Sequence, residues 1–240
     1  MCIRDRDSIN TLKKLKEKGH ILAIATGRPY PMVKDIAKKV GIDYIVCNGG
    51  NSIYKNGKCY LDLPLDREDC LYLFEECEKN GISYAFSDNA LEIKCYTKDD
   101  QFLKDIKEDH FFGDVIIKKD LNYRDIDNFC RLFIAVDKEN ENKLNGLKKL
   151  VGSRYHDHYI IVEPDDKYHG IEMMMELLHA PIEDVIVFGD GKNDIKMFRN
   201  AATSIAMGNA VEELKKIATF VTKDSDKDGI TYACKYFGWL

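Results

Sequence analysis

Val185-Ile186-Val187-Phe188 runs directly into Gly189-Asp190-Gly191-Lys192-Asn193-Asp194. A short β-branched and aromatic run of this kind predicts a buried strand of a parallel sheet. Open parallel sheets bind ligands at the carboxyl ends of their strands. Here that end carries two carboxylates and an amide. Hard oxygen donors suit Mg²⁺, and Mg²⁺ suits phosphate chemistry. Asp190 and Asp194 are therefore candidate metal ligands, and Asn193 is a candidate for orienting a phosphate oxygen or a water. A helix start capped by an acid accounts for one of these residues through the helix dipole, but not for the whole run.

The flanking sequence repeats the strand–loop–helix pattern. Ile171 to Leu178 reads as a helix before the 185–188 strand. Beyond it come a helix over 194–201, a strand at 204–207, a helix over 210–218 and a strand at 220–222. Near the other end, Asp7-Ser8 caps a helix bearing Ile9, Leu12 and Leu15 on one face, with Gly19 as its stop. The strand Ile21 to Ala25 runs into Thr26-Gly27-Arg28. A helix with Val33, Ile36, Ala37 and Val40 ends at Gly41, and the strand Tyr44 to Cys47 ends at Asn48-Gly49-Gly50. Ile53 to Tyr60 reads as a hairpin around Asn56-Gly57.

Between about Pro64 and Glu163 the pattern is mixed. Helices are predicted at 68–78, 102–106, 126–130 and 140–150, and strands around Tyr84 and Ile93 and at 115–117, 132–136 and 159–162. The expected architecture is thus α/β: a Rossmann-like, doubly wound parallel sheet formed by 7–63 and 164–240, split by an inserted α+β domain over 64–163.

The chain has 240 residues, 45% hydrophobic and 32% charged, with a net charge of −5. That is ordinary for a globular protein. No basic patch argues for nucleic acid as the main partner, and no apolar run has the length of a membrane span. The eight cysteines form no C-x-x-C pair, which argues against zinc. Several sit in apolar runs, as expected of buried reduced thiols in a cytoplasmic protein.

Residues 1–6, Met-Cys-Ile-Arg-Asp-Arg, are also what the transposon end used in sequencing libraries spells when translated. They are read as an adaptor artefact ahead of a truncated gene and are set outside the fold.

Phosphate binding recurs at the strand ends. Thr26-Gly27 offers a hydroxyl and a bare backbone after a buried strand. Lys167, in Asp165-Asp166-Lys167-Tyr168-His169-Gly170-Ile171, precedes a helix and can neutralise a phosphoryl group. Alone, each reads equally as a turn or a solvated lysine. Together, Ala25-Thr26-Gly27-Arg28, Lys167-x-x-Gly170-Ile171 and Gly189-Asp190-Gly191-Lys192-Asn193-Asp194 resemble the second, third and fourth motifs of the haloacid dehalogenase superfamily. The Cof-type sugar phosphatases are the nearest branch. Asn48-Gly49-Gly50, Ala206-Met207-Gly208-Asn209-Ala210 and Asp228-Gly229-Ile230 match that branch as well.

The resemblance implies a Rossmann-like core with a large cap inserted after the third core strand, the cap closing over the site and selecting the substrate. It implies Mg²⁺-dependent hydrolysis of small phosphorylated metabolites through an aspartyl-phosphate. In that scheme Thr26 and Gly27 hold phosphoryl oxygens, Lys167 offsets charge, Asp190 ligates Mg²⁺, Asp194 supports the ion directly or through water, and Asn193 helps hold the phosphate. Arg28 and Asn48 are further contacts.

The family's first motif, Asp-x-Asp-Gly-Thr/Ser at the end of the first, central strand, is not present. It supplies the nucleophile and the acid/base. Asp5-Arg6-Asp7 has the spacing but neither a preceding strand nor a following Gly. Loss of a central strand leaves two rows of backbone groups unpaired, at ~1–3 kcal/mol for each buried unsatisfied group, against a domain stability of ~5–15 kcal/mol. The chain as written is therefore expected to be poorly stable and inactive. A non-catalytic binder of phosphometabolites or Mg²⁺ and a phosphomutase on the same core remain alternatives.

Other signals read as structural. Asp224 to Gly229 copies the start of a calcium loop but has Lys235 at the twelfth position. His156-Asp157-His158 reads as solvent-facing, and Met173-Met174-Met175 as core packing.

Overall fold

The computed structural model describes residues 6–107, 113–150, 152–154 and 156–240. Residues 1–5, and with them most of the adaptor-like stretch and Asp5, lie outside the described residues. The chain divides into two compact units. One comprises residues up to Arg28, Met32–Leu61 and Asp166–Leu240, and the other Pro29–Pro31 with Asp62–Asp165.

The first unit opens with α1 (Arg6–Glu17). Asp7 and Ser8 lie in its first turn rather than at its cap. Leu12 and Leu15 are buried, as their helical spacing predicts. Gly19, at φ 92°, ends the segment, and the His20 amide returns to the Leu15 carbonyl at 3.0 Å. Next come β1 (Ala23–Ala25), α2 (Lys34–Val40), β2 (Tyr44–Cys47), β3 (Ser52–Lys55) and β4 (Lys58–Asp62). β1 and β2 are parallel, with Ile24 opposite Ile45, and β2 and β3 are antiparallel.

The second unit holds α3 (Arg67–Asn80), β5 (Tyr84–Ser87), β6 (Lys94–Thr97), α4 (Gln101–Ile106), β7 (Asp114–Ile117), β8 (Arg131–Ile134), β9 (Gly152–Ser153) and β10 (Ile160–Val162). These strands make one sheet in the order β7-β6-β5-β8-β10-β9. Phe74 of α3 anchors its core, stacked on Tyr84 at 4.5 Å and edge-on to Phe129 at 5.3 Å.

Two helices expected here do not form. Residues 126–130 are irregular: the Ile126 carbonyl accepts from Arg67 Nε (3.0 Å) and the Phe129 carbonyl from the Leu65 amide (2.7 Å), so tertiary partners replace helical ones. Residues 138–148 form two short 3₁₀ turns. The Gly146 amide, within the second of them, donates to Glu76 Oε2 at 2.7 Å. The strand expected around Ile93 begins at Lys94.

The first unit resumes with α5 (Lys167–Leu178), β11 (Ile186–Gly189), α6 (Ile195–Asn200), β12 (Thr203–Ala206), α7 (Glu212–Ile217), β13 (Phe220–Val221) and α8 (Gly229–Tyr236). β11, β12 and β13 are all parallel. The helix expected over 194–201 is a 3₁₀ turn at Lys192–Asp194 continued by α6.

The parallel strands follow the α/β alternation, but not as one sheet. Among the described residues the unit's strands form a four-stranded mixed sheet, β1-β2-β3-β4, and a three-stranded parallel sheet, β11-β12-β13. Among the described residues β1 and β11 are edge strands. Ile24 and Phe188, one from each edge, pack on a shared cluster with Leu12, Leu15, Met207 and Ile230. α1 and α8 thus serve both sheets, and Thr11 Oγ1 lies 2.9 Å from Thr231 Oγ1 between them. No described helix is long and apolar enough to cross a membrane.

Candidate functional site

The carboxyl ends of β1, β2 and β11 and the start of α5 converge in the first unit. After β1, the Thr26 amide continues the ladder to the Val46 carbonyl at 2.9 Å, and Thr26 Oγ1 accepts the Arg28 amide at 3.1 Å. That bond fixes the turn and the hydroxyl together. Nothing lies within 4 Å of where a Gly27 side chain would begin, so an anion has room to approach this backbone. Arg28 is exposed.

After β2, Asn48, Gly49 and Gly50 adopt positive φ values in succession (49°, 62°, 114°). Such a run belongs to glycine and, at lower cost, to asparagine. It turns the chain so that the Gly49 amide reaches the Thr26 carbonyl (3.2 Å) and the Gly49 carbonyl accepts the Asp166 amide (2.7 Å). Asn48 is buried, and its Nδ2 donates to Ser52 Oγ at 2.8 Å. In this structure it holds the turn.

The same turn seats α5. A Cβ on Gly50 would overlap the Asp166 carbonyl, and one on Gly170 would come within 2.5 Å of Val46 Cγ1. Asp166 caps the helix through Oδ1 to the His169 amide at 3.1 Å. Lys167, the first helical residue, is thereby turned inward and is only 5% exposed. Its Nζ donates to Asp194 Oδ1 at 2.7 Å.

Asp194, also 5% exposed, closes the circuit: its Oδ2 accepts the amides of Asp190 and Gly191, each at 3.0 Å. The Asp190 carbonyl takes the Val211 amide at 3.1 Å, which ties the loop to the segment after β12. Asp190 is half-buried at the tip of β11, and Asn193 is exposed in the same turn.

Thr26, Lys167 and Asp190 are therefore linked through short hydrogen bonds by way of Gly49, Asp166 and Asp194, although 164 positions separate the first from the last. The sequence reading named Thr26, Gly27, Arg28, Asn48, Lys167, Asp190, Asn193 and Asp194 for chemistry at these strand ends and missed the roles of Asp166 and Gly50. The signals were there: an Asp two residues before Tyr168 at a helix start, and a Gly-Gly pair directly after a strand.

The other candidates have local partners of their own. His158 Nδ1 pairs with Asp137 Oδ1 at 2.7 Å, and His156 stacks on Tyr159 at 4.5 Å. Asp224 of the calcium-like loop pairs with Lys227 at 2.6 Å, while the Ser225 amide donates to Asn209 Oδ1. Asp7 is exposed on a helix, not at a strand end.

The family model described as haloacid dehalogenase-like hydrolase matches residues 4–234. The chain belongs to the haloacid dehalogenase-like hydrolases. YkrA of Bacillus subtilis (strain 168), provisionally named a phosphatase, is 33% identical over 239 residues, covering 96% of this chain and 89% of YkrA. The B. subtilis protein named 5-amino-6-(5-phospho-D-ribitylamino)uracil phosphatase YwtE is 26% identical, covering 92% and 87%. Among solved structures, a hypothetical protein from Geobacillus kaustophilus HTA426 superposes with a TM-score of 0.81 at 32% identity, covering 98% of this chain and 92% of that one. The subclass IIB sugar phosphatase BT4131 gives 0.73 at 25% identity, covering 99% and 93%.

Proposed function

We propose that this chain carries the phosphate- and metal-binding side of a Mg²⁺-dependent phosphatase of small phosphorylated metabolites, with sugar phosphates the leading class. The observation that carries the reading is the hydrogen-bonded circuit joining Thr26, Lys167 and Asp190 at one rim of parallel strand ends. Its relatives named as phosphatases, BT4131 as a sugar phosphatase among them, support the same chemistry.

In this reading the Thr26 hydroxyl and the Gly27 backbone receive phosphoryl oxygens, and Lys167 balances their charge from a buried, pre-oriented position. Asn193 and Arg28 reach the phosphate from the exposed side, and Asn48 shapes the turn beneath it. The donor set fits Mg²⁺ rather than a soft metal. The described residues contain no cluster of three or more His, Cys, Asp or Glu able to hold a metal. Mg²⁺ commonly uses one or two carboxylates completed by water and substrate phosphate. Asp190, with Asp194 behind it, supplies the carboxylate edge. When bound, Mg²⁺ would neutralise phosphate charge as a Lewis acid.

Turnover in this scheme needs an Asp-x-Asp-Gly strand end beside Thr26, a motif this sequence does not contain, so the chain as it stands is expected to hold phosphate without hydrolysing esters. The test is to place an apolar strand ending in Asp-x-Asp-Gly ahead of α1 and screen sugar, nucleotide and cofactor phosphates with and without Mg²⁺. Mg²⁺-dependent release of inorganic phosphate is the expected result. No release from any ester would overturn the phosphatase reading, and brisk hydrolysis by the unaltered chain would overturn the assignment of the nucleophile to that motif.

A further inference from the structure

We propose that β7, the outer strand of the second unit's sheet, is a self-pairing edge through which two copies of this chain associate, antiparallel, about a two-fold axis at Ile116. The inference concerns assembly and does not rest on the phosphatase reading.

Among the described residues β7 ends one side of the six-stranded sheet, with no strand beyond it. On the opposite side the sheet ends in β9, which is only two residues long. Very short edge strands protect a sheet against pairing with another chain. β7 lacks that protection. It reads Asp114-Val115-Ile116-Ile117, with three β-branched residues and no proline, and Ile117 is 44% exposed. Its pairing with β6 is parallel, Ile116 lying opposite Tyr96. The Asp114 amide donates to the Ile93 carbonyl at 3.0 Å, and the Lys118 amide to the Thr97 carbonyl at 2.9 Å. Residues 114, 116 and 118 therefore turn their backbone groups toward β6, and Val115 and Ile117 turn theirs to the open edge. Such a row of backbone donors and acceptors is a template for a further strand.

The side chains select the partner and the register. Asp114 to Lys118 runs acid, three apolar residues, base. Laid antiparallel on a second copy with Ile116 opposite the partner's Ile116, Asp114 meets the partner's Lys118, and Val115 meets the partner's Ile117. The two-fold axis repeats both pairs. Val115 and Ile117 are the residues with outward backbone groups, so each such pair exchanges both of its hydrogen bonds. Asp114, Ile116 and Lys118 then fall at the non-hydrogen-bonded positions, where opposed side chains lie closer. Opposite charges and β-branched pairs are favourable there. Lys118 already lies on that face, its Nζ 4.0 Å from the centre of the Tyr96 ring. Lys94, opposite Asp114 on β6, is taken by Glu92 at 2.9 Å, which leaves Lys118 of a second copy as the complementary cation. A slip of two residues would set Asp114 against the partner's Ile116 or Asp120, so charge fixes the register. The contact is isologous and closes on itself as a dimer. It is small, so association should depend on concentration.

Sedimentation velocity over about a hundredfold range of concentration tests the proposal. The wild type is expected to move from the mass of one chain toward that of two. Asp114→Lys and Lys118→Asp each set like charges against like at both ends of the paired strands, and each should weaken association roughly tenfold or more. An equal mixture of the two single variants again opposes acid to base at both ends, as does the double variant carrying both substitutions. Both are expected to recover the wild-type association, and recovery in the mixture shows that each single variant is folded. A wild type that keeps the mass of one chain throughout would overturn the proposal. So would association that the single variants leave unchanged, or that neither the mixture nor the double variant restores.

Discussion

The two units of this chain build their sheets to different standards of closure. The six strands of the second unit form one ladder, and its central residues Phe86, Leu132 and Ile134 are fully enclosed. The first unit divides its strands between two ladders, and the strands at the division are the least covered. Ile186 of β11 is 38% exposed and Ala23 of β1 is exposed, whereas Val46 of the neighbouring β2 is fully buried. Parallel strands ordinarily lie buried on both faces. The lesson is that this unit's strand-end rim is held together less by its sheet than by backbone and side-chain hydrogen bonds across the strand ends: Gly49 to Thr26, Gly49 to Asp166, Lys167 to Asp194, and Asp194 to Asp190.

That contrast can be broken in four places, in descending order of expected effect. Phe74→Ala should cost ~3–5 kcal/mol, the range for an enclosed aromatic ring, as read by denaturant unfolding of the second unit's signal. A cost below ~1 kcal/mol would mean that its core is no better sealed than the first unit's. Gly170→Ala should cost ~1–3 kcal/mol through forced overpacking against Val46 and the Gly50 backbone, and should weaken phosphate binding by displacing Lys167. Ile186→Ala should cost ~1 kcal/mol or less, because little area is lost from water exclusion at a half-open edge. A larger loss would show β11 to be covered in solution.

The smallest effect is chemical. Burial pushes the thiols of Cys70, Cys95 and Cys130 up to about 12 and that of Cys234 to about 11, while Cys59 is exposed. Raised values mean fewer thiolates at any working pH, so at pH 8 iodoacetamide should label Cys59 first among these five. Labelling of the others should grow only as pH climbs toward their raised values or as the fold opens. Peptide mapping by mass spectrometry reads the order directly, and early labelling of Cys95 or Cys70 would contradict the sealed core assigned to the second unit.

Much of the first unit was legible because its signals are local. A β-branched run followed by Gly-Asp-Gly-Lys-Asn-Asp, or by Thr-Gly-Arg, announces a strand end whatever the tertiary context. Lys167 was legible only by its place before a helix and its likeness to a family motif, since its burial depends on the Asn48–Gly50 turn and on Asp166, which lie on separate elements. That Asp194 holds Lys167 and the amides of Asp190 and Gly191 could not be read from spacing, because it depends on which donors reach its carboxylate. The errors in the second unit have the same origin. Residues 126–130 and 140–150 carry acceptable helical patterns, but Arg67, Leu65 and Glu76 supply partners that outbid helical hydrogen bonds. The separation of the parallel strands into two ladders is equally a matter of which strands meet, and periodicity is silent on that.

Calorimetric titration of inorganic phosphate in the presence of Mg²⁺, comparing the wild type with Thr26→Ala and Lys167→Met, tests the convergence of these residues most directly. The account predicts measurable binding by the wild type and a loss of about tenfold or more in each variant, the scale of one hydrogen bond to a charged group. Equal affinity in all three proteins would contradict it, because it would place the anion somewhere other than the rim shared by Thr26, Lys167 and Asp190.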